Sequence, residues 1–227
     1  MLSALRASGK RHIALCTRGG SPLPRREETL YVDQENPYGD LSCVIMASGL
    51  GRRFGGNKLT ADFCGQPMIL RALDATEGIF KARVVVTRHQ DVAALCASRG
   101  VQAILHDLPG RNDTVRLGVE AAANHQGCMF LPGDQPLLRR ETVEAMALCA
   151  ADEPDFIWRA AHEGAPGSPA LFPRWAFEAL RRLPEGRGGS AVIARYPERV
   201  RLFEVQDARE LMDADTREAL ERLETMA

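Results

Sequence analysis

The fold of this chain is indicated most clearly by residues 43–58, which read CVIMASGLGRRFGGNK. Residues 43–47 form a short apolar run of the kind found in buried parallel strands. The eleven residues that follow hold four glycines, two arginines and a lysine. Glycines let backbone N–H groups approach an anionic ligand closely, while Arg and Lys neutralise its charge. The segment therefore predicts a strand followed by a phosphate-binding loop, which suits a nucleotide.

Beyond residue 41, short apolar runs alternate with helical patterns along the whole chain. The predicted strands span residues 43–47, 82–87, 101–105, 128–131, 155–159 and 200–205. The predicted helices span residues 67–79, 91–98, 114–124, 141–151, 174–183, 189–196 and 216–225. This alternation predicts a three-layer α/β/α fold, with helices on both faces of a mostly parallel sheet. Ligands of such sheets bind beyond the carboxyl ends of the strands, where the glycine-rich loop is expected to lie.

The first 40 residues differ in composition from the remainder of the chain. Residues 1–26 contain six Lys or Arg and no acidic residue, and Gly19-Gly20, Pro22 and Pro24 break any long amphipathic helix. We expect residues 1–40 to be a loosely attached N-terminal extension, or the product of a start codon assigned too far upstream. A targeting segment is the third alternative. Residues 41–227 are expected to form one folded domain.

Charge and composition argue against several classes of partner. The net charge of −1 provides no general attraction for nucleic acid or an anionic membrane, and no apolar run approaches the ~20 residues that span a bilayer. The cysteines form no C-x-x-C pair, so we expect reduced core thiols in a cytoplasmic protein. The six cysteines are Cys16, Cys43, Cys64, Cys96, Cys128 and Cys149.

Two common phosphate-binding patterns do not fit the glycine-rich loop. A dinucleotide fingerprint requires G-x-G-x-x-G, but Phe54 stands at the third glycine position. The Walker A pattern requires G-x-x-x-x-G-K followed by Ser or Thr. Here Asn57 displaces the lysine, and Leu59 stands where the hydroxyl would be. A different family of phosphate-binding loops is therefore indicated.

The pattern A-S-G-x-G-x-R-F-G-x-x-K after a first strand resembles the signature of nucleotidyltransferases with a glycosyltransferase-A-like fold, in particular the branch that acts on molybdenum cofactor. The resemblance runs from about residue 41 to residue 227 and implies a Rossmann-like nucleotidyltransferase domain. It implies that the loop lies along the nucleotide and holds its phosphates, with Arg53 and Lys58 offsetting the triphosphate charge in catalysis. The nucleotide-binding residues of the loop would be Met46, Ala47, Ser48, Gly49, Gly51, Arg53 and Lys58.

Two acidic motifs resemble the metal-binding elements of the same family. Residues 128–137, CMFLPGDQPL, deliver Asp134 at the end of a predicted strand and resemble the G-D-x-P element, whose Asp binds Mg²⁺ or Mn²⁺. Residues 211–218, LMDADTRE, resemble a D-I-D-T-P element, which makes Asp213 or Asp215 a second ligand, with Asp215 favoured. Arg217 stands where proline is usual. A tight turn at Asp134 and an N-cap role for Asp215 are the alternative interpretations.

Three further segments are candidates for the base and the acceptor. Residues 107–118, DLPGRNDTVRLG, correspond to the family segment that lines base and ribose, which makes Asp107, Asp113 and Thr114 candidate contacts. Capping of the following helix is the alternative. Residues 164–173 resemble a G-x-P-x-L-F element, and residues 186–191 resemble a glycine-bearing helix start. Both could receive the phosphate of the acceptor, or could form flexible linkers.

The resemblance implies a specific reaction. In the molybdenum cofactor branch, enzymes that use GTP tend toward A-G-G and those that use CTP toward A-A-G. The side chain of Ser48 narrows the floor of the base site, which favours CTP. We therefore expect transfer of CMP to molybdenum cofactor, with a molybdenum hydroxylase as a client protein. Use of GTP, a sugar or polyol phosphate acceptor, and a non-catalytic cofactor carrier are the alternatives.

Overall fold

A seven-stranded sheet forms the centre of the computed structural model, which describes residues 37–227. The sheet has the order β5-β4-β1-β6-β8-β7-β9, and β2 and β3 pair with each other apart from it. Strand β8 is antiparallel to both of its neighbours, and the other pairs in the sheet are parallel. The strands are β1 (Leu41–Ala47), β2 (Asp62–Phe63), β3 (Gln66–Pro67), β4 (Ala82–Thr87), β5 (Gln102–Leu105), β6 (Gly127–Pro132), β7 (Ile157–His162), β8 (Ala165–Pro173) and β9 (Val200–Glu204).

Helices cover both faces of this sheet, which confirms the predicted three-layer α/β/α architecture. Successive residues of β1 show the two faces: Ile45 belongs to one buried apolar cluster and Val44 to the other. Helices α1, α2, α4 and α7 pack on the side of Ile45, and α3, α5 and α6 pack on the side of Val44. The helices are α1 (Ile69–Ala75), α2 (Gln90–Ser98), α3 (Arg111–Ala121), α4 (Arg140–Asp152), α5 (Phe177–Arg181), α6 (Ser190–Arg195) and α7 (Arg217–Glu224).

The segment 164–173 departs from its expected structure. It forms β8, a strand inserted between β6 and β7, so the flexible-linker interpretation of this segment is wrong. Pro166, Gly167 and Pro169 argue against a strand in the sequence, because proline donates no ladder hydrogen bond and glycine weakens a strand. Burial of the following Ala170–Pro173 stretch overrides this local preference. The short pair β2–β3 was not predicted either.

The other boundaries agree with the sequence to within a few residues. Residues 174–183 are the exception, because a 3₁₀ turn (Arg174–Ala176) precedes the short helix α5. Four cysteines are buried thiols as predicted, at positions 43, 96, 128 and 149. Cys64 is exposed between β2 and β3, so its predicted place in the core is wrong. Cys16 and most of the predicted extension lie outside the described residues. None of the helices between residues 37 and 227 has the length and apolarity needed to cross a bilayer.

Candidate nucleotide and metal site

The glycine-rich loop follows β1 and closes on itself through the backbone of Gly51. The Gly51 carbonyl accepts hydrogen bonds from the N–H groups of Phe54 and Gly55, both at 3.0 Å. Gly51 has a φ of +58°, and a Cβ at this position would lie 2.0 Å from the carbonyl oxygen of Gly56. Any other residue would clash there, so the sequence needs glycine at this position. The buried ring of Phe54 fixes the loop to the core.

The loop is also tied to helix α2. The Nε2 atom of His89 lies 2.8 Å from the carbonyl oxygen of Gly49. Asn57 donates from Nδ2 to both carboxylate oxygens of Asp91 at 2.9 Å, and its Oδ1 accepts from the N–H of Leu59 at 3.2 Å. Asn57 therefore starts the 3₁₀ turn Lys58–Thr60 and joins it to the first turn of α2.

Lys58 lies at the centre of the site. Its side chain is buried, and its Nζ donates to Oδ1 of Asp215 at 2.8 Å and also forms an ion pair with Asp134. Burial alone would lower the pKa of the Lys58 ammonium, but the two carboxylates outweigh this effect and raise the pKa. Lys58 is therefore a fixed positive charge. The structure thus brings together Lys58, Asp134 and Asp215, three residues that the sequence assigned to the site.

Backbone hydrogen bonds fix the loop after β6, which carries Asp134, to the end of β1 and to the C-terminal segment that carries Asp213 and Asp215. The N–H of Gly133 donates to the carbonyl of Met46 at 3.0 Å, which places Asp134 beside the end of β1. The N–H of Ala214 donates to the carbonyl of Asp134 at 2.9 Å, which fixes the C-terminal segment to the loop after β6. Both contacts join parts of the chain that are distant in sequence.

Asp213 and Asp215 have different environments. Asp215 is partly exposed. Arg53 contacts its Oδ2 at 2.7 Å, and the hydrogen bond from Lys58 lowers its pKa. Asp213 accepts a hydrogen bond from Nε2 of Gln135 at 3.0 Å. Burial and the negative charge of Asp134 raise the pKa of Asp213. Of the two, Asp215 contacts the same ammonium as Asp134.

A divalent cation fits the chemistry of these donors. No three His, Cys, Asp or Glu side chains of residues 37–227 form a ready-made metal cluster. Asp134 and Asp215 nevertheless converge on a single cation, Lys58, and Mg²⁺ characteristically uses one or two carboxylates together with water and phosphate oxygens. Besides burial, the negative charges of Asp134 and Asp215 raise the pKa of Asp213, which indicates an excess of negative charge around it. The residues present therefore suit a metal ion that is shared with a triphosphate.

The alternative capping role of Asp215 is wrong. Helix α7 has Thr216 as its N-cap, and Oγ1 of Thr216 accepts a hydrogen bond from the N–H of Ala219 at 3.1 Å. Because Thr216 satisfies this N-terminal donor, the Asp215 carboxylate remains available for Lys58 and Arg53. Thr216 thus caps α7, while its neighbour Asp215 belongs to the site.

Ser48 lies on the side of the loop nearest β4. Its hydroxyl donates to the carbonyl of Val86 at 3.0 Å and lies 2.8 Å from Nε2 of His106. A hydroxyl has one proton, so His106 must donate from Nε2 to Ser48. Burial and the positive charge of Arg88 lower the pKa of His106, which keeps the ring neutral near pH 7. Sequence analysis missed His106, although a histidine directly after a predicted strand was a usable signal.

The residues predicted from segment 107–118 have three different environments. Asp107 is exposed beyond β5. Asp113 accepts a hydrogen bond from the N–H of Gly110 at 2.9 Å, so the capping interpretation holds for its carboxylate. Thr114 is buried within α3. Oδ1 of Asn112 accepts from the N–H of Gly186 at 3.1 Å and thereby connects this segment to the turn before α6.

The fold and the cationic loop facing two carboxylates define an α/β domain of the nucleotidyltransferase class. The chain belongs to the family described as MobA-like NTP transferase domain, which matches residues 43–200. This match covers the strand, the glycine-rich loop and Asp134, and it ends before Asp213 and Asp215.

Similar proteins include transferases of two kinds. The chain is 32% identical over 111 residues to a 3-deoxy-manno-octulosonate cytidylyltransferase of Neisseria meningitidis; the match covers 47% of this chain and 44% of that protein. It is 25% identical over 105 residues to a probable molybdenum cofactor guanylyltransferase of Aquifex aeolicus, over 45% of this chain and 50% of that protein. The chain therefore matches about half the length of these curated relatives.

Solved structures share the fold over a larger part of the chain. Rv0371c from Mycobacterium tuberculosis, solved in complex with manganese, superposes with a TM-score of 0.69 at 19% identity. The superposition covers 83% of this chain and 100% of that chain. The similarity extends the shared architecture beyond the segment matched by the family.

Proposed function

We propose that this protein transfers CMP from CTP to molybdenum cofactor and releases pyrophosphate. The observation that carries the proposal is the position of Lys58, whose ammonium contacts both Asp134 and Asp215 beside the glycine-rich loop. One site thus combines a fixed cation, backbone donors and two carboxylates, which together suit a nucleoside triphosphate with its metal ion. The product would be molybdopterin cytosine dinucleotide.

The loop and its cations would bind the triphosphate. Gly49 and Gly51 allow backbone N–H groups to approach phosphate oxygens, and Arg53 is exposed enough to exchange its contact with Asp215 for one with a phosphate. Lys58 would act as a buried point charge that offsets the negative charge of the phosphates. Met46 and Ala47 would line the nucleotide at the end of β1.

Asp134 and Asp215 would hold the divalent cation, with Asp213 as the alternative second ligand. A bound Mg²⁺ or Mn²⁺ would supply neutralisation of the charge that develops on the phosphate oxygens during transfer. Support for a divalent ion comes from the carboxylate donors and from the manganese complex of the structurally similar Rv0371c. The side chain of Gln135 would orient Asp213 through their hydrogen bond.

The proposed reaction needs no strong general base. The attacking group is the terminal phosphate of the acceptor, which is already ionised at neutral pH. It would attack the α-phosphate of CTP in line with the departing pyrophosphate, and one P–O bond would form as another breaks. Among the histidines that the structure describes, at positions 89, 106, 125 and 162, the rings of His89 and His106 lie beside the loop and contact Gly49 and Ser48.

Ser48 supports CTP as the nucleotide. Its side chain and His106 occupy space beside the end of β1, and this leaves less room for a base than a glycine would. Cytosine, with one ring, fits a narrower site than guanine. One similar protein is named as a cytidylyltransferase and another as a probable guanylyltransferase, so relatives alone do not decide between the bases. Asp107, Asp113 and Thr114 remain proposed contacts of the base and ribose.

Product analysis tests this proposal directly. The protein is incubated with Mg²⁺, molybdenum cofactor and each nucleoside triphosphate in turn, and products are identified by mass spectrometry. We expect the cytosine dinucleotide and pyrophosphate with CTP. Equal or greater turnover of GTP would contradict the proposed base preference. Pyrophosphate release only with a sugar or polyol phosphate would change the acceptor, and tight cofactor binding without any release would indicate a carrier.

Substitution of Asp134 tests the metal assignment. Asp134→Asn keeps the shape of the side chain but removes the negative charge, so metal-dependent turnover should fall at least about a hundredfold. The matched control is Asp74→Asn, which removes the α1 carboxylate of an exposed ion pair with Arg99. The control should keep wild-type turnover. Near-normal activity of Asp134→Asn would remove the metal role of this residue.

A further inference from the structure

A pocket adjoins the end of β1 on the side of the sheet that α3 and α6 cover. Its cavity volume is about 90 Å³, and it lies within about 430 Å³ of empty space that includes open solvent. The nucleotide roles proposed above involve only Met46 of its lining. The other walls come from β6, β7, β8, α3 and α6, and they include Phe130, Arg159, Ser168, Phe172 and Ser190.

Arg159 is the charged residue in this lining. It extends from the middle of β7, and its Nε donates to the carbonyl of Gly167 at 2.9 Å. No carboxylate of residues 37–227 offsets its charge, and burial lowers the pKa of its guanidinium. On the adjacent strand β9, Arg201 shows the usual arrangement, an ion pair with Glu153 at 3.4 Å. A partly buried guanidinium without a carboxylate is unfavourable unless an anion neutralises it.

The pocket is shaped to admit a ligand beside this guanidinium. A Cβ at Gly189 would lie 2.9 Å from the Phe172 ring, so glycine is required for the close approach of α6 to β8. Ser168 and Ser190 add hydroxyl groups to the lining, whereas Met46 and Phe130 are apolar. The carbonyl of Met46 accepts a hydrogen bond from the N–H of Gly133, the residue before Asp134. The pocket therefore adjoins the proposed reaction centre.

We propose that Arg159 binds the anionic group of the acceptor in this pocket, and that apolar walls contact the uncharged part of the same molecule. This inference rests on the proposed nucleotidyl transfer and adds a specificity-determining residue to it. The anion is a phosphate ester or a carboxylate, because a guanidinium forms paired hydrogen bonds with both. The apolar walls favour a flat heteroaromatic body over a polyhydroxylated sugar, whose hydroxyl groups need polar partners.

The test separates acceptor binding from nucleotide binding. Arg159→Gln removes the positive charge. Arg159→Lys keeps the charge but loses the paired N–H donors of the guanidinium. Arg174→Gln is the matched control. Arg174 also donates to carbonyl groups, those of Ala123 and His125, but beside the start of β6 and outside the pocket lining. We expect Arg159→Gln to raise the KM for the acceptor about tenfold or more. The KM for CTP and the melting temperature should stay within about twofold and a few degrees of wild type.

We expect the acceptor KM of Arg159→Lys to lie between those of wild type and Arg159→Gln, and the acceptor KM of Arg174→Gln to equal that of wild type. An unchanged acceptor KM in Arg159→Gln, or an equal rise in the KM for CTP, would overturn the inference. Two acceptors distinguish the anions: molybdenum cofactor carries a phosphate, and 3-deoxy-manno-octulosonate carries a carboxylate. The acceptor whose KM responds to Arg159 identifies the anion that this residue binds.

A direct measurement keeps this inference separate from the proposed function. The Nε–H resonance of Arg159 in ¹⁵N-labelled protein, assigned with Arg159→Lys, is followed during titration with inorganic phosphate and with acetate. A saturable shift with either anion supports the anion site even if molybdenum cofactor proves not to be a substrate. A resonance that does not move with either anion refutes the site, whatever the reaction of the protein.

Discussion

At Gly51, one backbone conformation determines the shape of the nucleotide loop. Gly51→Ala would place a methyl group 2.0 Å from the Gly56 carbonyl in a backbone region that costs an L-residue about 1–2 kcal/mol. The clash adds to this strain, so the loop must change its path. Because most of the loop is exposed at the surface, we expect CTP affinity to fall at least about tenfold while the fold persists. Calorimetric titration with CTP and Mg²⁺ measures the effect.

Gly56→Ala is the matched control for this change. Gly56 lies in the same loop, has no positive φ, and a Cβ there would contact nothing within 4 Å. Its CTP affinity should remain near that of wild type. Equal losses in both variants would mean that general mobility of the loop, rather than the conformation of Gly51, governs binding.

Lys58 and a divalent cation are expected to share the same two carboxylates. Lys58→Met leaves Asp134 and Asp215 without their common cation, which should destabilise the fold by about 2 kcal/mol because the carboxylates are partly exposed. Mg²⁺ alone should restore part of this loss, since it can replace the ammonium. Thermal melts with and without Mg²⁺ should therefore show a larger metal-dependent increase in Tm for Lys58→Met than for wild type.

A surface ion pair provides the comparison for Lys58→Met. Arg99→Met removes the cation from the exposed pair with Asp74, and its Tm should respond to Mg²⁺ as wild type does. If Mg²⁺ raises the Tm of Lys58→Met no more than that of wild type, Asp134 and Asp215 do not form a common cation site.

At the element scale, two adjacent residues at the start of α7 are expected to have separate roles: Thr216 in stability and Asp215 in activity. Thr216→Ala removes the side-chain cap of the helix and should lower the free energy of unfolding by about 1 kcal/mol. Its kcat and KM should change little. Asp215→Asn should show the opposite pattern, with a large loss of turnover and a small change in stability. Urea unfolding and steady-state kinetics on both variants provide the test, and a parallel loss of both properties would contradict it.

The strands show which elements local sequence can predict. The apolar runs that became β1, β4 and β6 are continuous and short, so the sequence predicts them closely. Strand β8 has three prolines and a glycine, and its structure depends on pairing with β6 and β7 on either side. Such tertiary contacts are not encoded in a local pattern. The insertion of an antiparallel strand into a parallel sheet was therefore not predictable from periodicity.

The site shows the same division between local and distant information. Lys58 and Asp134 stand in recognisable motifs at predicted strand ends, and the structure places them in contact. Assignment of the helix cap required atomic contacts, because Asp215 and Thr216 are both good capping residues. His106 and Arg159 belong to no motif, and their positions beside Ser48 and Gly167 depend on how separate strands align. An arginine within an apolar run was the available signal for Arg159.

At the scale of the whole molecule, the site joins segments from both ends of the described chain. Lys58 and Asp215 are 157 residues apart, and Arg217 lies over the ring of Phe54 at 5.0 Å. The N–H of Cys64 also donates to a carboxylate oxygen of Glu224 at 3.0 Å, so α7 contacts the hairpin that follows the loop. A ligand that binds the loop and the carboxylates together must therefore stabilise both segments.

Hydrogen exchange should detect this coupling. Binding of CTP with Mg²⁺ at about 100 times the Kd stabilises the folded state by about 2.7 kcal/mol. We expect amide protection to increase together in residues 48–58 and in residues 207–216, because both segments contribute to the proposed site. At the same concentration, CTP with Mg²⁺ should increase the protection of residues 48–58 and 207–216 less in Gly51→Ala, because a tenfold weaker affinity reduces the stabilisation to about 1.4 kcal/mol. Protection confined to residues 48–58 would show that the C-terminal carboxylates do not take part in nucleotide binding, and Asp134 would then hold the metal without Asp215.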